Sequence, residues 1–265
     1  MRLSVAYVFT LMIWTVGIAE SAEDRFDHAL LDRVLGSFVN AKGHVDYTAL
    51  KANPDDLTAY VEWLNQNSPM NQPDRFPSRD HELAYWLNAY NAFVLSGVVD
   101  AYPVASVRDI LPRFGFFKKL RFNAGGKLYT LDEIEHKIIR KTFGEPRIHA
   151  AINCASIGCP RLAQRAFRAD ELSDQLEKEM SFFILSSGNV RLDKEKKKVY
   201  LSEIFSWFKK DFTEWYKTRN GLKKADILDY VKLYMSDEDR KILDENAKFK
   251  TAFSSYDWSL NDQAQ

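Results

Sequence analysis

Residues 80–101, which read DHELAYWLNAYNAFVLSGVVDA, carry the strongest helical pattern of the chain. Ser78 or Asp80 can cap the start of a helix here, and Pro103 ends it. Apolar side chains cover nearly every face of that helix: Leu83, Ala84, Trp86, Leu87, Ala89, Phe93, Val94, Leu95 and Val98. A helix that is apolar all round is buried. We therefore expect it to run through the centre of the molecule.

Shorter elements surround this segment on both sides in the sequence. Helical periodicity covers residues 27–38, 57–65 and 169–185, and further helices are predicted between residues 202 and 246. Turn signals within extended stretches predict hairpins at residues 121–129 and 190–201. Helices and strands do not alternate as βαβ units, so the pattern predicts an α+β fold. We expect one helix-rich globular domain, residues 20–265, built around the buried central helix with short antiparallel hairpins.

The charge balance narrows the classes of partner. Basic and acidic residues number 37 each, so the chain lacks the basic excess of a nucleic-acid-binding protein. Aromatic residues make up 14% of the chain, which indicates a large, well-filled core. We expect a small molecule or a peptide as partner, no nucleic acid, and no cofactor.

The N-terminus has the features of a secretory signal. Arg2 precedes an uncharged apolar run over residues 4–18, and Gly17 and Ala19 suit cleavage before Glu20. The run is short for a membrane span, and no later stretch is apolar for long enough to cross a bilayer. We therefore predict a signal peptide at residues 1–19, a periplasmic or secreted protein, and no stable membrane insertion once the signal is removed.

Two asparagines interrupt the apolar surface of the central helix. Asn88 and Asn91 are three residues apart and so lie on one face. A buried amide must be hydrogen-bonded, so each either positions a functional group or bridges neighbouring backbone. The sequence leaves both readings open.

A second helix places a carboxylate where an apolar residue is expected. Thr130 to Glu133 form a capping box that opens a helix to Arg140. Glu135 lies on its apolar stripe, with Leu131, Ile134, Ile138 and Ile139. A carboxylate on a core face is costly unless it is paired, and such groups are enriched at functional sites. His136 and Arg140 could supply partners, and a structural salt bridge to an arginine is the alternative.

Residues 147–162, RIHAAINCASIGCPRL, contain both cysteines of the chain. Read as a strand from Arg147 to Asn153, the segment places Arg147, His149 and Asn153 on one face. Cys154 would follow at the end of the strand, where a helix N-terminus or an imidazole can lower a thiol pKa.

Several ordered motifs make the chain similar to a known family. They include Val45-Asp46-Tyr47, residues 84–92 (AYWLNAYNA), residues 131–140 with Ile-Glu-His, residues 147–162, and the closing residues 256–261 (YDWSLN). The chain resembles domain-of-unknown-function family 547, as a bacterial secreted member, from about residue 40 to 261. The family's activity is not established, so the resemblance implies no catalytic role for any residue.

The first functional hypothesis is a thiol-dependent hydrolase or acyl transferase that acts on amide bonds of a peptide or a cell-wall-like substrate. Cys154 would be the nucleophile and His149 or His136 the base, with Glu135 or Asn88 orienting the imidazole. The substrate-binding candidates are Asn91, Asn153, Arg147 and Ser156, of which Asn153 could also serve as oxyanion donor.

The second hypothesis is a ligand-binding module without catalysis. Two cysteines in an oxidising compartment suggest a structural Cys154–Cys159 disulfide, although their spacing is not that of a Cys-x-x-Cys redox pair. Its pocket would be lined by Asn88, Glu135 and His149. A zinc site is a weaker option, because no pair of cysteines or histidines has the usual close ligand spacing, and we assign no metal.

Overall fold

The computed structural model describes residues 28–245 and 249–264 of the chain. The predicted signal peptide lies outside these residues. The helices of the described part are α1 (Ala29–Phe38), α2 (Tyr47–Ala52), α3 (Asp55–Gln66), α4 (Arg79–Ala101), α5 (Gly115–Lys118), α6 (Leu131–Glu133), α7 (Leu172–Leu185), α8 (Glu203–Trp207), α9 (Lys209–Arg219), α10 (Ile227–Val231) and α11 (Asp237–Glu245). A π-helix, Ile134–Phe143, continues α6, and short 3-10 helices span Pro73–Arg75, Val107–Asp109 and Pro146–Ala150.

Helix α4 is the buried central helix that its sequence predicts. Ser78 caps it by accepting a hydrogen bond from the backbone N–H of His81. Helices α2 and α3 and the π-helix pack against it. Trp86 is fully buried and meets Tyr85 and Tyr129 edge-on. Because its apolar side chains point in every direction, the first of two hydrophobic clusters forms around it.

The strands form two small sheets. Strands β1 (Phe122–Ala124) and β2 (Lys127–Tyr129) make one antiparallel hairpin. Strands β3 (Val190–Asp193) and β4 (Lys198–Ser202) make the other, and β5 (Lys250–Ser254) adds to β4 in parallel. The fold is therefore α+β and helix-rich with antiparallel hairpins, as expected, and the parallel β4–β5 pair was not foreseen.

A second hydrophobic cluster lies around α7 to α10 and the sheet that contains β4. Phe205 and Phe212 are fully buried there, in ring contact with each other. The candidate site lies where elements of this cluster meet the π-helix and the cysteine segment. Within the described residues, no helix is both long and apolar enough to span a membrane.

The segment that was predicted as a strand, residues 147–153, is instead a 3-10 helix over Pro146–Ala150 followed by a turn. Pro146 fixes the backbone of the first turn and has no N–H to donate to a strand partner. Glu145 caps the turn by accepting from the backbone N–H of Arg147. Arg147 and His149 therefore do not share the face of a strand.

Candidate functional site

A cavity of about 500 Å³ lies beside the cysteine segment, and we call it the aromatic pocket. Its walls are mostly aromatic or aliphatic: Tyr90, Phe114, Phe117, Ile152, Pro160, Ile204, Trp207, Phe208, Tyr256 and Trp258. The remaining lining residues are Lys118, Asp132, Glu135, His136, His149, Cys154 and Cys159. Five of the residues singled out in the sequence thus line one cavity, although up to 24 positions separate them along the chain.

Glu135 is the carboxylate that lies most deeply in this pocket. Its side chain is 14% exposed. The Tyr90 hydroxyl, from α4, donates to Oε2 at 3.4 Å, and Oε1 lies 3.7 Å from Nδ1 of His136. Burial raises the pKa of Glu135 to about 7, against the opposing charge of Arg140. A carboxyl group with such a pKa can donate or accept a proton near neutral pH.

An ion-pair network contacts the two histidines of the pocket, and its members Arg140 and Asp211 line a separate cavity. Nε2 of His149 lies 2.8 Å from Oδ2 of Asp211, on α9. Arg140 donates to both oxygens of the same carboxylate, at 2.7 and 3.0 Å, and its Nη1 lies 3.0 Å from Nδ1 of His136. Burial opposes ionisation of Asp211, but the hydrogen bonds from His149 and Arg140 hold its pKa well below the usual range.

Burial favours the neutral form of both pocket histidines. Burial lowers the pKa of His149, and the hydrogen bond to Asp211 only partly offsets it. Burial likewise lowers the pKa of His136. The ring of Phe208 stacks on His149 at 4.0 Å, which fixes the plane of the imidazole. A neutral imidazole whose Nε2–H donates to Asp211 keeps Nδ1 as an acceptor.

Cys154 and Cys159 form a disulfide on the pocket wall. In this form neither sulfur is a thiolate, so Cys154 is not a nucleophile in the oxidised protein. Within residues 28–245 and 249–264 the sulfur of Cys154 makes no hydrogen bond to His149 or His136. It lies instead 2.9 Å from the Tyr256 hydroxyl.

The C-terminal residues hold this wall in place. The backbone N–H groups of Ile157 and Gly158 donate to the carbonyl oxygens of Ser259 and Asp257, at 2.8 and 2.9 Å. The pairing carries Tyr256 and Trp258 over the disulfide loop and into the lining of the pocket. The two aromatic residues of the 256–261 motif therefore form part of the pocket wall.

The two asparagines of α4 lie outside the pocket lining. Asn88 donates to the carbonyl oxygen of Phe167 at 2.8 Å and accepts from its N–H at 2.9 Å, and its amide also lies 3.1 Å from Nε2 of His28. Asn91 donates to the carbonyl oxygen of Ala151 and accepts from the backbone N–H of Asn153. Both therefore bridge neighbouring backbone, and the only imidazole that Asn88 contacts among the described residues is that of His28.

Three other substrate-binding candidates also lie away from the lining. Asn153 holds the cysteine loop, since its amide donates to Pro160 and accepts from the backbone of Ala155. Arg147 forms ion pairs with Glu145 and Glu177. Ser156 is buried, 1% exposed, in a bridge to Leu260.

Several residues at or beside the pocket were not identified as candidates from the sequence. Asp211, which contacts His149 but does not line the pocket, was given no role, because a carboxylate near the start of an amphipathic helix is ordinary. Trp207 and Phe208 follow a strand at the start of a helical stretch and read as core or surface. Among the described residues, no three His, Cys, Asp or Glu side chains form a group that could hold a metal ion.

Comparison with known proteins gives one match. Residues 74–184 match the model of a family described as "Protein of unknown function, DUF547". No curated protein and no solved structure matches the chain. The matched range contains α4, Glu135 and the cysteine segment, whereas Asp211 and Tyr256 lie beyond it. The match supports the DUF547 domain family for residues 74–184, a narrower stretch than the resemblance at residues 40–261 implied.

Proposed function

We propose that the protein is a ligand-binding module whose aromatic pocket takes a small molecule or a peptide segment with an apolar, preferably aromatic, body. The observation that carries this proposal is the composition of the pocket wall. Ligand sites in proteins are concave and mostly apolar, with a few polar groups that fix orientation. The aromatic pocket has this composition, with Glu135 and His136 as polar groups.

The disulfide fits the same proposal. The Cys154–Cys159 bond forms part of the pocket wall, and it leaves no thiolate in the oxidised protein. Trp207 is 48% exposed and extends the aromatic surface to the rim. A planar ligand would stack on these rings and direct a polar group toward Glu135.

The binding proposal is tested on oxidised protein by calorimetry with N-acetyl-phenylalaninamide and with the apolar dye anilinonaphthalene sulfonate. We expect saturable binding of at least one probe at one site, and a roughly tenfold weaker affinity in Trp207→Ala. Phe253→Ala is the matched control, since Phe253 is an exposed aromatic residue on β5 outside the pocket lining. Absence of binding by both probes, or equal affinity in all three proteins, would contradict the proposal.

A second candidate function is favoured by one observation. Cys154, Glu135 and two neutral imidazoles line the same cavity, which is the constellation that a thiol-dependent hydrolase or acyl transferase requires. This activity toward amide bonds needs an opened disulfide, with Cys154 as nucleophile and His149 or His136 as base.

Two single variants separate the two candidates. Cys159→Ser frees Cys154 without a reductant, whereas Cys154→Ser removes the nucleophile and leaves Cys159 free. If the protein is a thiol hydrolase, Cys159→Ser hydrolyses a peptide anilide and Cys154→Ser does not. Equal inactivity of both variants, with ligand binding retained, would exclude the hydrolase and leave the binding module.

We further propose that the protein is a bacterial secreted member of its family, located in the periplasm or outside the cell. The charged, apolar and small-residue regions of residues 1–19 support this location. Mass spectrometry of the protein produced in a bacterium should find a mature N-terminus at Glu20, in the periplasmic or extracellular fraction. An intact N-terminus in the cytosolic fraction would contradict it.

A further inference from the structure

The Cys154–Cys159 disulfide lies between two cavities. Both cysteines line the aromatic pocket, and Cys159 also lines a second cavity of about 460 Å³, which we call the outer cavity. Both residues are partly exposed. The outer cavity is lined largely by polar and charged residues, among them Lys42, Arg161 and Asp257. A hydrated small reactant can therefore reach the bond without entering the aromatic pocket.

Each sulfur of the bond has a hydrogen-bond donor in place. The backbone N–H of Cys154 donates to Sγ of Cys159 at 2.9 Å. The Tyr256 hydroxyl lies 2.9 Å from Sγ of Cys154. A disulfide sulfur is a weak acceptor, whereas a thiolate is a charged and much stronger one. Both donors therefore stabilise the opened, ionised pair more than the closed bond.

The loop between the cysteines does not depend on the bond for its shape. Asn153 bridges the loop by donating to Pro160 and accepting from Ala155. The C-terminal tail pairs with Ile157 and Gly158 through two backbone hydrogen bonds. Because the cysteines are only five positions apart, closing the loop restricts the unfolded chain little. The bond can open while these contacts remain.

We propose that Cys154–Cys159 is a site of thiol–disulfide exchange whose substrate is a low-molecular-weight thiol that enters by the outer cavity. The thiolate of this compound attacks Sγ of Cys159, so that a mixed disulfide forms at Cys159 and the bond to Cys154 breaks. Cys154 leaves as a thiolate that accepts the hydrogen bond of Tyr256. A second thiolate then attacks the sulfur of the bound compound, which releases Cys159.

The electrons and protons of this exchange balance. Two molecules of the thiol are oxidised to one disulfide, and the two cysteines gain the two electrons and the two protons that the thiols lose. Cys154 is the leaving group, and exchange is faster when the leaving thiol has a lower pKa. The hydrogen bond from Tyr256 lowers the pKa of Cys154 and should therefore raise the rate of exchange. The released thiol of Cys154 faces the aromatic pocket. The inference does not rest on ligand binding there, since the attacked residue, Cys159, also lines the outer cavity.

The test uses the full chain, purified without reductant and incubated with excess reduced glutathione under native conditions. Samples are quenched with acid and alkylated, and the cysteines are located by mass spectrometry. We expect both cysteines to become alkylatable while the far-UV circular dichroism and the cooperative thermal transition are retained. The transient glutathione adduct should lie on Cys159.

Tyr256→Phe tests the assigned role of the hydroxyl. We expect the rate of exchange to fall roughly threefold, and the pKa of the released Cys154 thiol, read from its alkylation rate against pH, to rise by about one unit. Tyr200→Phe is the matched control, because Tyr200 lies on β4 under Arg191, outside both cavity linings.

Three results would overturn the proposal. The first is a disulfide that opens only in denaturant, as expected for a purely structural bond. The second is an adduct on Cys154 instead of Cys159, which reverses the direction of attack. The third is an identical exchange rate and thiol pKa in the Tyr256 and Tyr200 variants. None of these outcomes bears on binding to the oxidised pocket, so the two proposals fail independently.

Discussion

Nε2 of His149 lies 2.8 Å from Oδ2 of Asp211, although 62 positions separate the two residues. The contact joins the 3-10 helix Pro146–Ala150 to α9 and so connects the cysteine segment with the second hydrophobic cluster. Arg140, from the π-helix, completes it by binding both oxygens of Asp211. One carboxylate thus orients both an imidazole that lines the aromatic pocket and an arginine outside its lining.

Asp211→Asn should destabilise the protein by about 2 kcal/mol at neutral pH, because it removes charge-assisted hydrogen bonds from two partners. The folded-state pKa of Asp211 is depressed, so its contribution to stability is present above the unfolded pKa, near 4, and is lost as the pH falls further. Urea unfolding of both proteins between pH 3 and pH 8 measures the difference. A difference that is constant over this range would contradict the assigned ion pair.

Glu135→Gln should stabilise the protein at alkaline pH. The folded-state pKa of Glu135 is raised to about 7, above its ordinary value of 4.5. The stability that the neutral carboxyl contributes is therefore fully present below pH 4.5 and is lost as the pH rises through 7. Glutamine stays neutral throughout. The stability of the variant relative to wild type should therefore increase by about 3 kcal/mol between pH 4.5 and pH 8.5. Glu214→Gln, on the exposed side of α9, is the control and should show no such trend.

Asn88→Ala should cost about 2–4 kcal/mol of stability, because it leaves both backbone groups of Phe167 without their side-chain partner in a buried site. Binding of a ligand to the aromatic pocket should be unchanged, since Asn88 does not line it. Thermal denaturation and calorimetry give the two readouts. A stable variant with impaired binding would mean that Asn88 takes part in ligand binding.

The double variant Cys154→Ala/Cys159→Ala should fold and lose at most about 2–3 kcal/mol of stability, because the closed loop is short. The hydrogen bonds of Asn153 and of the C-terminal tail hold the loop without the bond. Equilibrium unfolding against wild type kept free of reductant measures the cost. Failure of the double variant to fold would mean that the disulfide, and not these contacts, sets the loop conformation.

Local patterns predicted much of the secondary structure. The apolar run and the Ser78 cap determine α4, and the capping box of Thr130 and Glu133 forms as expected. These features depend on residues within one or two turns of each other, so they can be read from the sequence. The strand at residues 147–153 was wrong because Pro146 and the cap from Glu145 favour a 3-10 turn over extended backbone.

The candidate site could be predicted only in part. Glu135 was identified as a polar residue on an apolar stripe, and it does line the pocket. Asn88 and Asn91 carried the same signal, yet they bridge backbone groups. A buried polar residue indicates that a partner exists, but the partner can be a ligand or a neighbouring carbonyl, and the sequence pattern is the same for both.

The α+β class, the central helix and the crowding of reactive groups at residues 147–162 can be predicted from the sequence, because each is encoded by neighbours along the chain. The packing of distant segments places Glu135, His149 and Cys154 in one cavity, adds Trp207 and Tyr256 to its lining, and sets Asp211 against His149. The tertiary structure also decided that Cys154 is bonded to Cys159. The physical reason is that cavities and ion pairs arise from packing between distant segments, whose relative positions depend on the whole core and leave no local periodicity in the sequence.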